Sequence, residues 1–181
     1  SSTMTNWLSH YPIVGDDGTI YVSTPQDNIV YALNPENTIK WQKTFPSNIT
    51  ISMALSPNKL YVPSGEYLYS LNFSNGDILQ NYTTGSEILI SPVIDSLGSV
   101  YFVSDSNILS AFQENGSIMW TIEKGGVSSY LGYKDTISID NNGTLYYVGT
   151  NGYKVEECLP NWSLINVSCS ISNDTKQIIY E

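Results

Sequence analysis

Four short segments of this chain repeat one another. GTIYVS, NKLYVP, GSVYFVS and GTLYYVG carry Tyr21, Tyr61, Tyr101 and Tyr146, spaced 40, 40 and 45 residues apart. A period of that length, made only of short alternating segments, specifies one four-stranded unit used repeatedly. The third unit is the clearest: SPVI, the turn DSLG, SVYFVS, NILSAF, the turn ENG, then SIMWTI. The first runs YPIV, DDG, TIYVS, NIVYALN and TIKWQKTF, and the more worn second runs ISMAL, SPN, KLYVP, EYLYSLN, SNG and DILQNYT. Alternation of apolar and polar residues, rich in β-branched and aromatic types, specifies strands; Asp, Asn and Gly at fixed offsets specify the hairpins between them. Nothing reads as a helix of useful length, and GGVSSYLGYKDT, over 125–136, is a loop that lengthens the third spacing. The units fall at 11–47, 48–87, 88–126 and 134–157, with an extended segment, 1–10, before them and a cysteine-containing segment, 158–181, after them.

A four-stranded meander has two faces and cannot bury both alone. Stacking units around an axis covers them, so the fold class is all-β, a β-propeller of about four blades, with a disulfide-linked C-terminal extension. The pattern S-P-x-Ile/Val, then D-G-Thr/Ser-apolar-Tyr-Val, then Leu-x-Ala-apolar, then G-x-apolar-x-Trp is carried by YPIVGDDGTIYV, VYALN and TIKW, and by SPVIDSLGSVYFV, LSAF and GSIMW. It resembles the pyrroloquinoline-quinone-like (PQQ-like) β-propeller repeat, one of the WD40/YVTN-like kind. Unit two keeps Tyr61 but has Leu79 and Gln80 near the usual Trp. Unit four keeps DNNGTLYYVGTNGYKV and then departs, without a normal third and fourth strand. The resemblance covers residues 11 to 155 and leaves function open, because the repeat occurs in enzymes, assembly factors and surface proteins alike.

Quinone dehydrogenases with this repeat are similar to one another in having eight blades, a calcium ion, a catalytic carboxylate and stacking aromatics at the axis. This chain has at most four blades and shows no equivalent set, so the resemblance implies a non-catalytic member with no cofactor and no metal. His10 is the single histidine, in a polar segment, and no nucleophile-elbow motif accompanies it, so it reads as a surface or capping residue. Asp16, Asp17, Asp95 and Asp140 fall in one kind of hairpin turn, where Asp accepts backbone N–H bonds; calcium loops need more oxygen ligands than such short turns supply. Trp41 and Trp120 recur at one point of the repeat and are assigned to packing between blades, as are Tyr21, Tyr61, Tyr101 and Tyr146. Trp7 and Trp162 lie outside the repeats and are the candidates for aromatic recognition of a sugar or peptide.

Charge and cysteine usage narrow the partners. The formal charge is −10, with seven basic residues, all Lys, so no basic patch addresses nucleic acid or an anionic membrane. No apolar run approaches the roughly 20 residues that span a bilayer. Cys158 and Cys169, in ECLPNWSLINVSC, are close enough to close a small loop, read as one disulfide with two buried thiols as the alternative. Asn-x-Ser/Thr sequons stand at Asn48, Asn72, Asn81, Asn115, Asn142, Asn161, Asn166 and Asn173. Composition alone gives roughly three or four, so N-linked glycans are expected. The chain opens SSTMTNWLSH, with no initiator Met, and reads as a mature or trimmed product. Together these features point to a secreted, extracellular or cell-surface glycoprotein.

Four blades are at the low end for closure. The chain is then a fragment, a compact four-bladed ring, or an open array whose terminal blades expose apolar faces and strand edges. An open array meets identical chains first, and a contact that does not close gives a filament. The segments before and after the repeats look extended enough to add a strand to a neighbour's sheet. The expected role is a structural or interaction module, self-associating into a fibril or coat; the first alternative is a propeller domain binding a glycan or protein ligand, and the second, ranked below it, a fragment of a quinone-dependent dehydrogenase.

Overall fold

The computed structural model describes residues 11–24, 27–106, 108–123, 136–140, 145–149, 154–159 and 168–171. They form four antiparallel four-stranded sheets, each with its strands in sequence order, and no helix occurs among them. Blade one holds β1 (Ile13–Val14), β2 (Ile20–Thr24), β3 (Ile29–Leu33) and β4 (Ile39–Thr44). Blade two holds β5 (Ala54–Leu55), β6 (Lys59–Ser64), β7 (Tyr67–Asn72) and β8 (Ile78–Thr83). Blade three holds β9 (Val93–Ile94), β10 (Val100–Val103), β11 (Ile108–Phe112) and β12 (Ile118–Glu123). Blade four holds β13 (Thr136–Ile139), β14 (Leu145–Gly149), β15 (Lys154–Leu159) and β16 (Ser168–Ile171).

The fourth blade corrects the sequence reading. The cysteine segment was expected to lie outside the repeats, yet β15 and β16 pair across it and complete a four-stranded sheet. Backbone ladders need no particular side chain, so this hairpin formed although the Ala and Trp letters of the repeat had gone.

Three apolar clusters hold the blades together, and period-2 alternation explains their membership. Tyr21, Val30, Ala32 and Trp41 of blade one pack on Leu60, Val62, Tyr69 and Leu71 of blade two. The alternate residues of blade two, Tyr61, Leu68 and Tyr82, pack on Val100, Phe102 and Phe112 of blade three. Tyr101, Val103, Leu109 and Ala111 then meet Ile137 and Leu145 of blade four. Tyr21, Tyr61 and Tyr101 are each fully buried, and each covers the blade that follows. A side chain so placed stabilises by about 1.5–3 kcal/mol. The first strands adjoin in series, β5 with β9 and β9 with β13.

One irregularity recurs. The pairing of third and fourth strands shifts between Ala32 and Leu33, between Ser70 and Leu71, and between Ala111 and Phe112. A β-bulge at the same place in three blades re-aims the start of each outer strand. It leaves Ile39, Ile78 and Ile118 exposed at the rim.

Candidate functional site

The end of each blade that carries the turns between first and second and between third and fourth strands holds Asp17, Asp95 and Asp140. Its chemistry starts in the hairpins. In blade three, Asp95 Oδ1 accepts the backbone N–H groups of Leu97 (2.9 Å) and Ser99 (2.8 Å), while its Oδ2 accepts the Tyr101 hydroxyl at 2.9 Å. In blade four Asp140 Oδ2 accepts the Tyr146 hydroxyl at 3.2 Å, the same six-residue step. In blade one the carboxylate has moved. Asp17 accepts the Thr19 N–H (3.0 Å) and hydroxyl (2.8 Å) and pairs with Lys40 Nζ at 3.0 Å. The Thr19 backbone bond, then Lys40, then the Thr19 hydroxyl hold the Asp17 carboxyl down to about 2. Blade two has SPN in this turn and no carboxylate, and the buried Tyr61 hydroxyl there has no hydrogen-bond partner.

Desolvation dominates the tyrosines. Burial, with Asp17 nearby, pushes the Tyr21 hydroxyl up to about 12. Burial raises Tyr61 and Tyr101 still further, and for Tyr101 the adjacent Asp95 carboxylate adds to it. Tyr101, held neutral and bonded to the Asp95 turn carboxylate, forms a fixed polar pair.

The turns between third and fourth strands latch successive blades. Trp41 Nε1 and the Tyr21 hydroxyl both donate to the Phe73 carbonyl of blade two, at 3.0 and 2.9 Å. Gln80 stands opposite Ser70, the register position that Trp41 holds opposite Ala32, and its Nε2 donates to the Asn115 carbonyl of blade three. Gly76 and Gly116 make the close approach possible, with φ of 77° and 92°. A Cβ on Gly76 would lie 2.8 Å from the Trp41 ring, and one on Gly116 would lie 2.8 Å from the Gln80 carboxamide. Lys59 of blade two adds a bond to the Glu114 carbonyl of blade three. Sequence reasoning saw these glycines as turn residues only. Their second role was hidden because the residue each one approaches lies a whole blade away in sequence.

The remaining candidates divide as follows. Trp41 is buried in the cluster between blades one and two, and Trp120 is half-buried against the cluster between blades three and four. Asn48, Asn81 and Asn115 are exposed, and Asn72 is half-buried. The carboxamide of Asn115 accepts the Ser117 N–H at 2.9 Å, and that of Asn72 accepts the Ser74 N–H at 2.9 Å and the Ser74 hydroxyl at 2.7 Å. Cys158 stands directly opposite Cys169 in the β15–β16 ladder. Trp7, His10, Asn142, Asn161, Trp162, Asn166 and Asn173 lie outside the described residues. Among the described residues no group of three or more His, Cys, Asp or Glu is placed to hold a metal, and no helix is long and apolar enough to cross a membrane.

No protein-family model and no curated sequence relative matches this chain. Solved structures do. The chain is similar to BamB from Moraxella catarrhalis, with a TM-score of 0.71 and 15% identity over 86% of this chain and 48% of that one. It is similar to the WD40 β-propeller domain of Doa1, with a TM-score of 0.62 and 12% identity over 76% of this chain and 46% of that one. The quinohemoprotein alcohol dehydrogenase from Comamonas testosteroni matches with a TM-score of 0.63 and 16% identity, over 84% of this chain and 29% of that one. Identities this low establish the fold alone, and the fold is that of β-propeller blades. The chain spans about half the length of the first two structures and less of the third.

Proposed function

We propose that this chain is a non-catalytic interaction module, a secreted N-glycosylated subunit that associates with copies of itself into an extracellular fibril or coat. The observation that carries the reading is the contrast between the two kinds of surface a blade offers. The described turn carboxylates Asp17 and Asp95 are engaged by their own turns and neighbouring side chains, whereas the outer face of blade one keeps apolar side chains partly in solvent. Surface of the second kind is for binding rather than chemistry. The module needs no quinone and no calcium.

Several features support the extracellular part. Residues opposed in an antiparallel pair have Cα atoms about 4.5–5.5 Å apart, which is disulfide distance, and Cys158 and Cys169 are so opposed. Asn81 lies exposed on the outer strand β8, where a glycan would keep a free sheet edge from pairing at random. The test is electron microscopy of the protein from its native source, joined to mass spectrometry of its peptides. Ordered assemblies with hexose-containing mass on Asn48, Asn81 and Asn115 are expected. Isolated particles carrying no glycan and a reducible-free Cys158 would contradict the reading.

A further inference from the structure

One row of side chains crosses the face that each blade turns toward the next. In blade one it is Tyr21, Ala32 and Trp41, and in blade three Tyr101, Ala111 and Trp120, each residue directly opposite the one before it on the neighbouring strand. In blade two the same positions hold Tyr61, Ser70 and Gln80. A third change lies beside them. Tyr82, opposite Leu68, stands where blades one and three carry Lys43 and Ile122. Blade two has exchanged a methyl for a hydroxymethyl and an indole for a carboxamide, and has gained a phenol, all at one place.

The result is a buried polar cluster in an apolar junction. Tyr61 and Ser70 are both 0% exposed, and Tyr61 lies among Leu68, Val100, Phe102 and Phe112. Neither the Tyr61 hydroxyl nor the Ser70 hydroxyl has a hydrogen-bond partner within the protein. The Tyr82 hydroxyl donates to Gln80 Oε1 at 2.7 Å, which leaves the Tyr82 oxygen free to accept. Burial pushes the Tyr82 hydroxyl up, against a lowering by the Ser70 hydroxyl beside it, although that hydroxyl stays outside bonding distance. Burial first, then the Tyr82 phenol and the Glu114 carboxylate, push the Tyr61 hydroxyl up. The two phenols and the serine therefore address one spot. Gln80 cannot turn to satisfy them, because its Oε1 is engaged by Tyr82 and its Nε2 by the Asn115 carbonyl of blade three. Buried hydroxyls are rarely left unpaired.

We propose that one water molecule resides between Tyr61, Ser70 and Tyr82, in space that an indole fills in blades one and three. The Tyr61 hydroxyl donates to it, and it donates in turn to the Ser70 and Tyr82 oxygens. About three bonds is the usual number for a buried water. Size selects water. An indole exceeds a carboxamide by more than the roughly 30 Å³ that one water occupies, and anything larger is shut out because Tyr61 and Ser70 are sealed from solvent. Charge agrees. The Glu114 carboxylate repels an anion, and Lys59 Nζ, 3.9 Å from it, already answers its charge, so the occupant is neutral. A satisfied polar row marks this junction out from its aromatic neighbours.

Oxygen-17 relaxation dispersion on the 181-residue chain, which counts waters held for longer than the protein tumbles, tests this. Tyr61→Phe is expected to lose one long-lived water relative to wild type, while its stability stays near that of wild type because release of the water offsets the lost bond. Ser70→Ala with Gln80→Trp writes the row of blade one into blade two, and is expected to lose the same water. Ser74→Ala, at an exposed residue of the turn between β7 and β8, keeps the wild-type count. Should the double variant not fold, Tyr61→Phe alone carries the readout. Equal counts in wild type and Tyr61→Phe would overturn the proposal, as would a double variant that folds and keeps every water.

Discussion

The junction between blades one and two and the junction between blades three and four use the same aromatic pair. Tyr21 and Trp41 lie with ring centroids 5.9 Å apart at 47°, and Tyr101 and Trp120 lie 5.9 Å apart at 43°. Their polar tips part company. At the first junction both tips converge on the Phe73 carbonyl of the next blade. At the other, Tyr101 turns back to Asp95 of its own blade, and the buried Trp120 Nε1 has no hydrogen-bond partner. The apolar bodies of the repeat aromatics set the spacing of the blades, and the tips decide how firmly a given pair is locked. A repeat can therefore conserve its shape along the chain while changing where its polar groups are spent.

The comparison breaks most visibly at the latch glycines. Gly76→Ala is expected to destabilise by about 2–4 kcal/mol, combining left-handed backbone strain with a clash against the rigid Trp41 ring. Gly116→Ala meets the movable end of Gln80 and is expected to cost about 1–2 kcal/mol, mostly backbone strain. For a chain of this size the two differ by several degrees in Tm, read by calorimetry.

Next in size are the indole tips. Trp41→Phe is expected to cost about 2 kcal/mol, and Trp120→Phe about 1 kcal/mol less because it has no hydrogen bond to lose. Equal costs in denaturant titrations would show that the bond to Phe73 adds nothing to packing.

The tyrosine hydroxyls sharpen the same point. Tyr101→Phe, which deprives Asp95 of a donor, is expected to cost about 1.5 kcal/mol. Tyr61→Phe removes a buried hydroxyl that has no partner, and is expected to be neutral or stabilising. The smallest effect concerns pH. Tyr21, Tyr61 and Tyr101 ionise at higher pH when folded than the ordinary 10.0. Their contribution is thus complete below pH 10 and is lost as pH rises through about 12, where Tyr21 ionises. Alkaline unfolding followed by tyrosinate absorbance should shift upward in Tyr101→Phe relative to wild type once its own stability loss is subtracted.

Much of this architecture was legible in the letters. Alternation and the Asp/Asn/Gly turns gave the strands, and the recurrence of Tyr21, Tyr61, Tyr101 and Tyr146 gave the blades, because burial on both faces demands large apolar residues at fixed register. The turn role of Asp17 and Asp95 was also readable, since it depends on residues two to four positions away. Three things were not. The outer hairpin of blade four was missed because KVEECL and SCSI lack the Ala and Trp letters by which the repeat is recognised. Gln80 looked like a lapse in the motif, yet it supplies a carboxamide bond where the others have an indole. The meeting of Gly76 with Trp41 was hidden because nothing local marks a contact between blades.

The central claim is that blade one presents a partly exposed sheet face which assembly then covers. Hydroxyl-radical labelling of Tyr31 and Tyr69, equivalent residues of blades one and two, tests it in one experiment. The account expects Tyr31 to be labelled in dilute protein and protected at assembling concentrations, with Tyr69 protected throughout. Tyr31 as protected as Tyr69 at every dilution would contradict it.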